Sequence, residues 1–101
     1  MSDSYIEDRI GYLRKKLLVH SIIYYRLNES IISDQKWAEW AVELEKLCAE
    51  HPKEAQRAFL AEEFQDFDHS TGYNLPLETP WAVPVALGLV EYDKKMKMEH
   101  G

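Results

Sequence analysis

The sequence predicts a small all-α protein, a bundle of about four helices that forms a single domain over residues 1–101. Apolar side chains recur at spacings of three and four over long stretches, as they do on one face of an α-helix. No segment longer than a few residues alternates with the period of two that a half-buried strand shows. The composition, 46% hydrophobic and 30% charged, is that of a folded chain rather than a disordered one.

The first helix is predicted from about Asp3 to Asn28. Residues at alternating spacings of four and three mark its inward stripe: Ile6, Ile10, Leu13, Leu17, His20, Tyr24 and Leu27. Leu18, Ile22 and Ile23 widen the apolar surface of its second half, so we expect that half to be buried on more than one side.

The second helix is predicted from Ser33 to about Glu50, after a polar break at residues 28–30. Ser33 is a favourable N-cap, and a carboxylate in the first turn interacts well with the helix dipole. Its inward face is made by Trp37, Trp40, Ala41, Leu44, Leu47 and Cys48. The helix ends at His51, because a residue before proline disfavours the helical region. Together the first two helices are predicted to form an antiparallel hairpin.

A third helix is predicted from Pro52 to Phe64, with Ala55, Phe59 and Leu60 facing inward. Residues 65–78 are rich in polar residues, Gly and Pro, which predicts a loop. A last helix follows over residues 79–98, with Trp81, Val85, Leu89 and Tyr92 inward at spacings of four, four and three. Pro84 lies near its first turn and is expected to delay or bend the start.

Charge and cysteine content exclude several classes of protein. The net charge of −6, from 18 acidic and 12 basic side chains, disfavours nonspecific binding to a phosphate backbone. Cys48 is the only cysteine, so no internal disulfide forms and a reducing compartment is expected. The first residues lack a signal-peptide pattern, and no apolar stretch is long enough to span a bilayer. We therefore expect a cytoplasmic protein without a membrane partner, located in the host cytoplasm if its origin is viral.

The segment from Tyr24 to Trp37 carries the strongest chemical signal. Two adjacent tyrosines end one helix, a short turn follows, and Asp34 and Trp37 open the next helix. This arrangement brings aromatic faces and a carboxylate to one corner, which suits a cationic aromatic ring attached to a sugar. In the alternative interpretation, Tyr24 and Trp37 only anchor the core and Asp34 only stabilises the helix N-terminus.

The first half of the chain resembles a known family. The residues that carry the resemblance are Leu13-Arg14-Lys15-Lys16-Leu17, His20, Tyr24-Tyr25, Ile32-Ser33-Asp34, Trp37, Glu43-Leu44, Leu47 and His51-Pro52. Over residues 6–53 this pattern is similar to the N-terminal Ia domain of bacterial NAD-dependent DNA ligase. The resemblance implies a helical unit that holds the nicotinamide mononucleotide half of NAD.

Carried over by position, the resemblance places Tyr24, Tyr25, Asp34 and Trp37 at ligand-contacting positions. Tyr25 lies where some members of the family carry histidine. Trp37 replaces the usual tyrosine and keeps a stacking face, whereas Ala38 stands where the family usually has an aspartate. The missing acid puts the strength and the identity of the ligand in doubt.

Candidates outside this corner are weaker. Ser70 and Thr71, before Gly72, are candidates for phosphate contacts through a turn, although a plain turn explains them too. His20 is expected to be a hydrogen-bonded core histidine, with a phosphate contact as its other interpretation. The segment 66–69 contains two aspartates and a histidine but lacks further spaced ligands, so a polar loop is predicted and no metal site.

These 101 residues contain no Lys-x-Asp-Gly string, which adenylating ligases need, and no other catalytic motif. We therefore expect a protein that is not an enzyme and has no cofactor of its own. It is expected to bind a small nucleotide such as nicotinamide mononucleotide, NAD or an ADP-ribose derivative. A protein of this kind would sequester or sense its ligand, for example an NAD-derived immune signal in a phage anti-defence role. The surplus of large apolar residues favours a homo-oligomer.

Two other hypotheses remain open at this stage. The hairpin could serve a protein-interaction adaptor that has lost nucleotide binding, which the alanine at position 38 supports. An enzyme acting on nucleotides would need a base and a nucleophile that the sequence does not identify.

Overall fold

The computed structural model describes residues 2–65, 67 and 75–100, and these residues form four helices without any strand. The helices are α1 (Ser2–Tyr25), α2 (Asp34–Glu50), α3 (Pro52–Arg57) and α4 (Ala82–His100). The helix α1 lies at the centre and packs against each of the other three. This arrangement confirms the predicted all-α bundle. Among the described residues, no helix combines the length and the apolar character needed to cross a membrane.

The first two helices form the antiparallel hairpin that the sequence predicts. Near one end of the pair, the rings of His20 and Trp40 lie 5.4 Å apart between centroids. Towards the other end, the Nη2 of Arg14 lies 3.6 Å from the Sγ of Cys48. The chain therefore runs up α1 and back down α2, which brings the end of α1 beside the start of α2.

Residues 17–23 of α1 are buried on all sides, as the wide apolar surface there predicts, but the inward position predicted for Tyr24 is wrong, since it is 51% exposed. Consecutive side chains there are at most 2% exposed: Leu17, Leu18, Val19, Ser21, Ile22 and Ile23, with only His20 at 9%. A helix that is apolar all round is a buried helix rather than a surface one. The core of the protein is therefore built around α1.

The end of α1 comes three residues before the predicted Asn28. Asn28 itself adopts a left-handed conformation, with a φ of 54°, and it cannot continue the helix. Asparagine tolerates this region better than most residues do. The N–H of Glu29 then donates to the carbonyl of Ile23 at 3.0 Å and closes the helix end. The turn that follows is thereby folded back over the last turn of α1.

The start and the inward face of α2 agree with the prediction. The hydroxyl of Ser33 accepts a hydrogen bond from the N–H of Lys36 at 3.0 Å, as an N-cap does. Ala41 and Leu44 are buried, and the other predicted residues of this face pack half-buried against the core.

The third helix is shorter than predicted, ending at Arg57 instead of Phe64. The cause is Arg14, a buried side chain of α1 that reaches the end of α3. Its Nη1 donates to the carbonyls of Ala55 at 2.9 Å and Phe59 at 3.2 Å, and approaches that of Ala58 at 3.4 Å. These carbonyls are satisfied by a guanidinium rather than by a further helical turn.

Ala58 is extended and Leu60 has a φ of 66°, so the chain turns directly after α3. Ala55 and Leu60 are buried as predicted, but the inward position predicted for Phe59 is wrong. Its side chain is 52% exposed, and its ring lies 5.3 Å from that of Trp81.

The prediction for the buried face of the last helix is also wrong. Trp81, Val85, Leu89 and Tyr92 are between 37% and 63% exposed, and we call this surface the α4 stripe. The buried face lies one residue further round, at Ala82, Ala86 and Val90. Small side chains let two helices approach closely, so the alanines rather than the larger residues face α1.

The predicted delay by Pro84 is confirmed, since α4 begins at Ala82 rather than at residue 79. Pro84 occupies the first turn, where a missing N–H costs nothing. The carbonyl of Thr79 accepts hydrogen bonds from the N–H groups of Ala82 and Val83 at 3.1 and 3.2 Å.

The predicted loop lies mostly outside the described residues. Among its described members, Leu75 is buried and Phe67 packs against Phe64, with 5.0 Å between ring centroids. Ser70, Thr71, Gly72 and the acidic segment 66–69, apart from Phe67, lie outside the described residues, so their predicted roles stay predictions.

Candidate ligand site

A cavity of about 370 Å³ lies where the end of α1 meets the start of α2. Its lining comes from the last two turns of α1, the turn at residues 29–33 and the first turn of α2. The volume falls within the range of about 300–1,000 Å³ that is usual for small-molecule sites. The hairpin geometry thus creates a concave surface at the corner that the sequence indicates.

The structure brings together every predicted residue of this corner. Tyr24, Tyr25, Asp34 and Trp37 all line the cavity, and so does His20. Ala38, at the position of the expected family acid, lines it as well. Whether these residues bind a ligand stays a prediction.

Aromatic rings form one wall and the rim. The rings of Tyr24 and Tyr25 lie edge to face, 4.9 Å apart between centroids, at the exposed end of α1. Trp37 is half-buried, and its ring is supported from behind by Phe67 at 6.0 Å. Trp37 thus lines the cavity while it packs against the core.

The charge of the described cavity lining is negative. Its only charged side chains are those of Glu29 and Asp34. Asp34 is exposed at the rim, while Glu29 is half-buried and forms an ion pair with Lys94 of α4 at 3.3 Å. Because Lys94 offsets the charge of Glu29, Asp34 is the carboxylate that, beside the aromatic faces, favours a cation or a group rich in hydroxyls.

Three residues of the cavity lining are buried: His20, Ser21 and Ile23, which are 9%, 1% and 1% exposed. Burial lowers the pKa of His20 to about 4, with a smaller contribution from the charge of nearby Lys16. His20 is therefore neutral at pH 7. The expected core position is confirmed, and within the described part of the chain the Nδ1 of His20 has no hydrogen-bond partner. The phosphate contact predicted for His20 remains untested.

The sequence patterns did not indicate two residues of this site, Glu29 and Ser21. Glu29 belongs to the turn that the sequence marks only as a polar break, and its place in the cavity depends on the turn folding back over α1. Ser21 is one residue away from the predicted stripe of α1. A buried polar residue inside a continuous apolar run is the signal that could have indicated Ser21.

Comparison with known proteins finds a family match in the half of the chain that contains the cavity. A family model described as "DNA ligase-like, N-terminal NAD+-binding domain" matches residues 3–58. A protein named DNA ligase from Endomicrobium trichonymphae is 35% identical over 74 aligned positions, and the match covers 65% of this chain. The chain spans 11% of that relative's length. No solved structure matches the chain. The family match includes the whole cavity lining and leaves α4 outside it.

Proposed function

Because the chain belongs to the family of DNA ligase-like, N-terminal NAD+-binding domains, we propose that its cavity binds a nicotinamide nucleotide or a related NAD-derived molecule. One observation carries the proposal. The aromatic and acidic residues that the sequence singles out line a single cavity, and the only charged groups of its described lining are carboxylates.

The chemistry of the lining fits the ligand. Oxidised nicotinamide bound to ribose is a cationic ring, and the face of Trp37 or Tyr24 attracts such a ring by about 0.5–2 kcal/mol. Asp34, exposed at the rim, can accept hydrogen bonds from both ribose hydroxyls. Because the lining is acidic, the phosphate of the nucleotide points to solvent in this arrangement, away from Glu29 and Asp34.

The proposed role is binding without chemistry. A small domain of this type acts by holding or sensing its ligand, and an NAD-derived immune signal captured by a viral protein is the form that we propose. Ala38 in place of an acid reduces the attraction for a pyridinium ring, which suits a domain released from the requirements of catalysis.

The test is a calorimetric titration with nicotinamide mononucleotide, NAD, ADP-ribose and cyclic ADP-ribose. Tyr24→Ala and Asp34→Ala should each weaken binding by about 1–3 kcal/mol, or about 5- to 150-fold, with little change in stability. Tyr5→Ala and Asp8→Ala are the matched controls, because both side chains are exposed and lie outside the cavity. If no nucleotide gives heat, or if the site variants bind as the controls do, the proposal fails.

The alternative function is that of a protein-interaction adaptor. It is favoured by the α4 stripe, in which three large apolar side chains of α4 are exposed next to Trp81 and Phe59. Such a contiguous apolar surface is typical of a surface that another protein covers. If no nucleotide gives heat in the titration while Leu89→Glu abolishes self-association in sedimentation, the α4 stripe is a protein-binding surface and the adaptor function is favoured.

A further inference from the structure

Most of the α4 stripe belongs to a longer exposed row on the same helix, which we call the seam. The seam consists of Trp81, Val85, Gly88, Tyr92 and Lys95. These residues follow one another at intervals of four, three, four and three, and all five are exposed. Alternation of three and four places residues along one line of a helix, as where two helices pack side by side. The face of α4 that packs against α1 is a different one.

Gly88 leaves a gap in the middle of the seam. Its φ is not in the left-handed region, and a Cβ at this position would meet no atom within 4 Å. Neither the backbone nor the described neighbours therefore require a glycine, although glycine inside a helix is less stable than alanine. A glycine allows close approach from outside, which only a partner packed on the seam would use.

The two ends of the seam carry opposite charges. Lys95 ends it, and Glu78 continues the same spacing three residues before Trp81. Glu78 and Lys95 are both exposed, and neither forms an ion pair among the described residues. One residue further inward along the seam, each end has an aromatic side chain, Trp81 or Tyr92. The order of residue types thus becomes complementary when it is reversed.

We propose that two copies of this chain pair through the seam, with their α4 helices antiparallel about a two-fold axis. A two-fold pair uses the same patch on both copies, so the patch must complement its own reverse. In this arrangement Glu78 lies opposite the partner's Lys95, and Trp81 lies opposite the partner's Tyr92. Each ion pair and each aromatic pair then occurs twice.

The centre of the seam fits the same pairing. Val85 lies opposite the partner's Gly88, so a branched side chain fills each gap. A parallel pair would instead place Lys95 beside the partner's Lys95 and leave an empty space between two glycines. Charge complementarity therefore favours a second copy in antiparallel orientation. No seam residue lines the cavity, so this inference does not depend on the proposed function.

The experiment is a charge exchange followed by sedimentation equilibrium at about 0.1 M salt, where charges within about 10 Å still interact. The unaltered protein should form a dimer. Glu78→Lys alone and Lys95→Glu alone should each weaken the dimer about tenfold, because each creates two like-charge contacts. The double variant should recover the affinity of the unaltered protein within about threefold, and so should an equimolar mixture of the two single variants.

Lys46→Glu and Glu50→Lys are the matched controls. They change the net charge by the same amounts at exposed positions of α2, a helix that does not contact α4. Both controls should leave the affinity of the dimer unchanged. A loss in the controls equal to that in the seam variants would mean that net charge alone governs association, and it would overturn the proposal.

Gly88→Leu tests the centre of the seam. The leucine side chain has open space within the described fold, so the melting temperature of the dilute protein should not fall, whereas dimerisation should weaken at least about tenfold. Three results would overturn the proposal: a chain that stays monomeric up to about 1 mM, an assembly that Gly88→Leu leaves intact, and single-charge variants that neither the double variant nor the mixture rescues.

Discussion

Replacing Arg14 with methionine should remove about 3 kcal/mol from the free energy of unfolding. Arg14 is 5% exposed, and its Nη1 donates to two backbone carbonyls within 3.2 Å, with a third at 3.4 Å. A hydrogen bond to a charged group contributes about 1.5–3 kcal/mol, and a carbonyl left buried without a donor costs about 1–3 kcal/mol. Relief of the desolvated charge offsets part of this loss, which leaves the stated value.

The assay is urea unfolding followed by circular dichroism, with thermal melting as a second measurement. At about 4–8 °C per kcal/mol for a domain of this size, the melting temperature should fall by about 12–24 °C. Arg14→Lys should fall between the two proteins, because an ammonium keeps the charge without the planar fork. Lys15→Met, on the exposed side of α1, should stay within about 0.5 kcal/mol of the unaltered protein.

A loss below about 1 kcal/mol for Arg14→Met would refute the reasoning. It would mean that water or other donors already satisfy the carbonyls at the end of α3. Arg14 would then not explain why the helix stops at Arg57, and the shortened α3 would need another cause.

Three further predictions concern the site and the helices. The free energy of unfolding should fall by about 2 kcal/mol between pH 6.5 and pH 4, allowing for the solvent near the ring of His20, because the unfolded chain binds a proton on His20 that the folded protein excludes until about pH 4. Urea unfolding of His20→Gln should lack this pH-dependent loss of stability. A pH profile identical to that of the unaltered protein would contradict the prediction. Ala38→Asp should strengthen binding of nicotinamide mononucleotide by about 1 kcal/mol, since it adds a carboxylate to the cavity lining. Weaker binding of the variant in calorimetry would argue against a cationic ligand. Gly88→Ala should raise stability by about 0.5–1 kcal/mol, because its new Cβ meets no atom within 4 Å. Gly11→Ala should raise stability less, because its Cβ would lie 3.1 Å from the Cβ of Phe59. Equal melting temperatures for the two variants would contradict this difference.

The position of α4 links the two halves of the chain. It lies outside the residues that match the family, yet Lys94 pairs with Glu29 at the cavity and the guanidinium of Arg26 donates to the carbonyl of Leu77 at 3.3 Å. These two contacts join the second half of the chain to the end of α1 and to the turn that follows it. The second half of the chain therefore supports the candidate site without lining it.

Local patterns determined the helical class, the bounds of α2 and the corner of the candidate site. Each depends on interactions within a few residues: the cap of Ser33 on Lys36, the spacing of apolar residues, and the break after the tyrosine pair. Such interactions act at short range along the chain, so the sequence displays them directly. For the same reason, Tyr24, Asp34 and Trp37 could be placed at one corner before the fold was known.

The end of α3, the inward face of α4 and the buried part of the cavity lining were decided only by tertiary contacts. Arg14 acts on carbonyls 41 to 45 residues away in sequence, which no local pattern reveals. In α4, two apolar stripes lie one residue apart, and only the close approach to α1 selects the small alanines over the α4 stripe. Ser21 is buried because the rest of the fold encloses residues 17–23 of α1. Burial depends on which surfaces meet, and that is fixed by the packing of the whole chain.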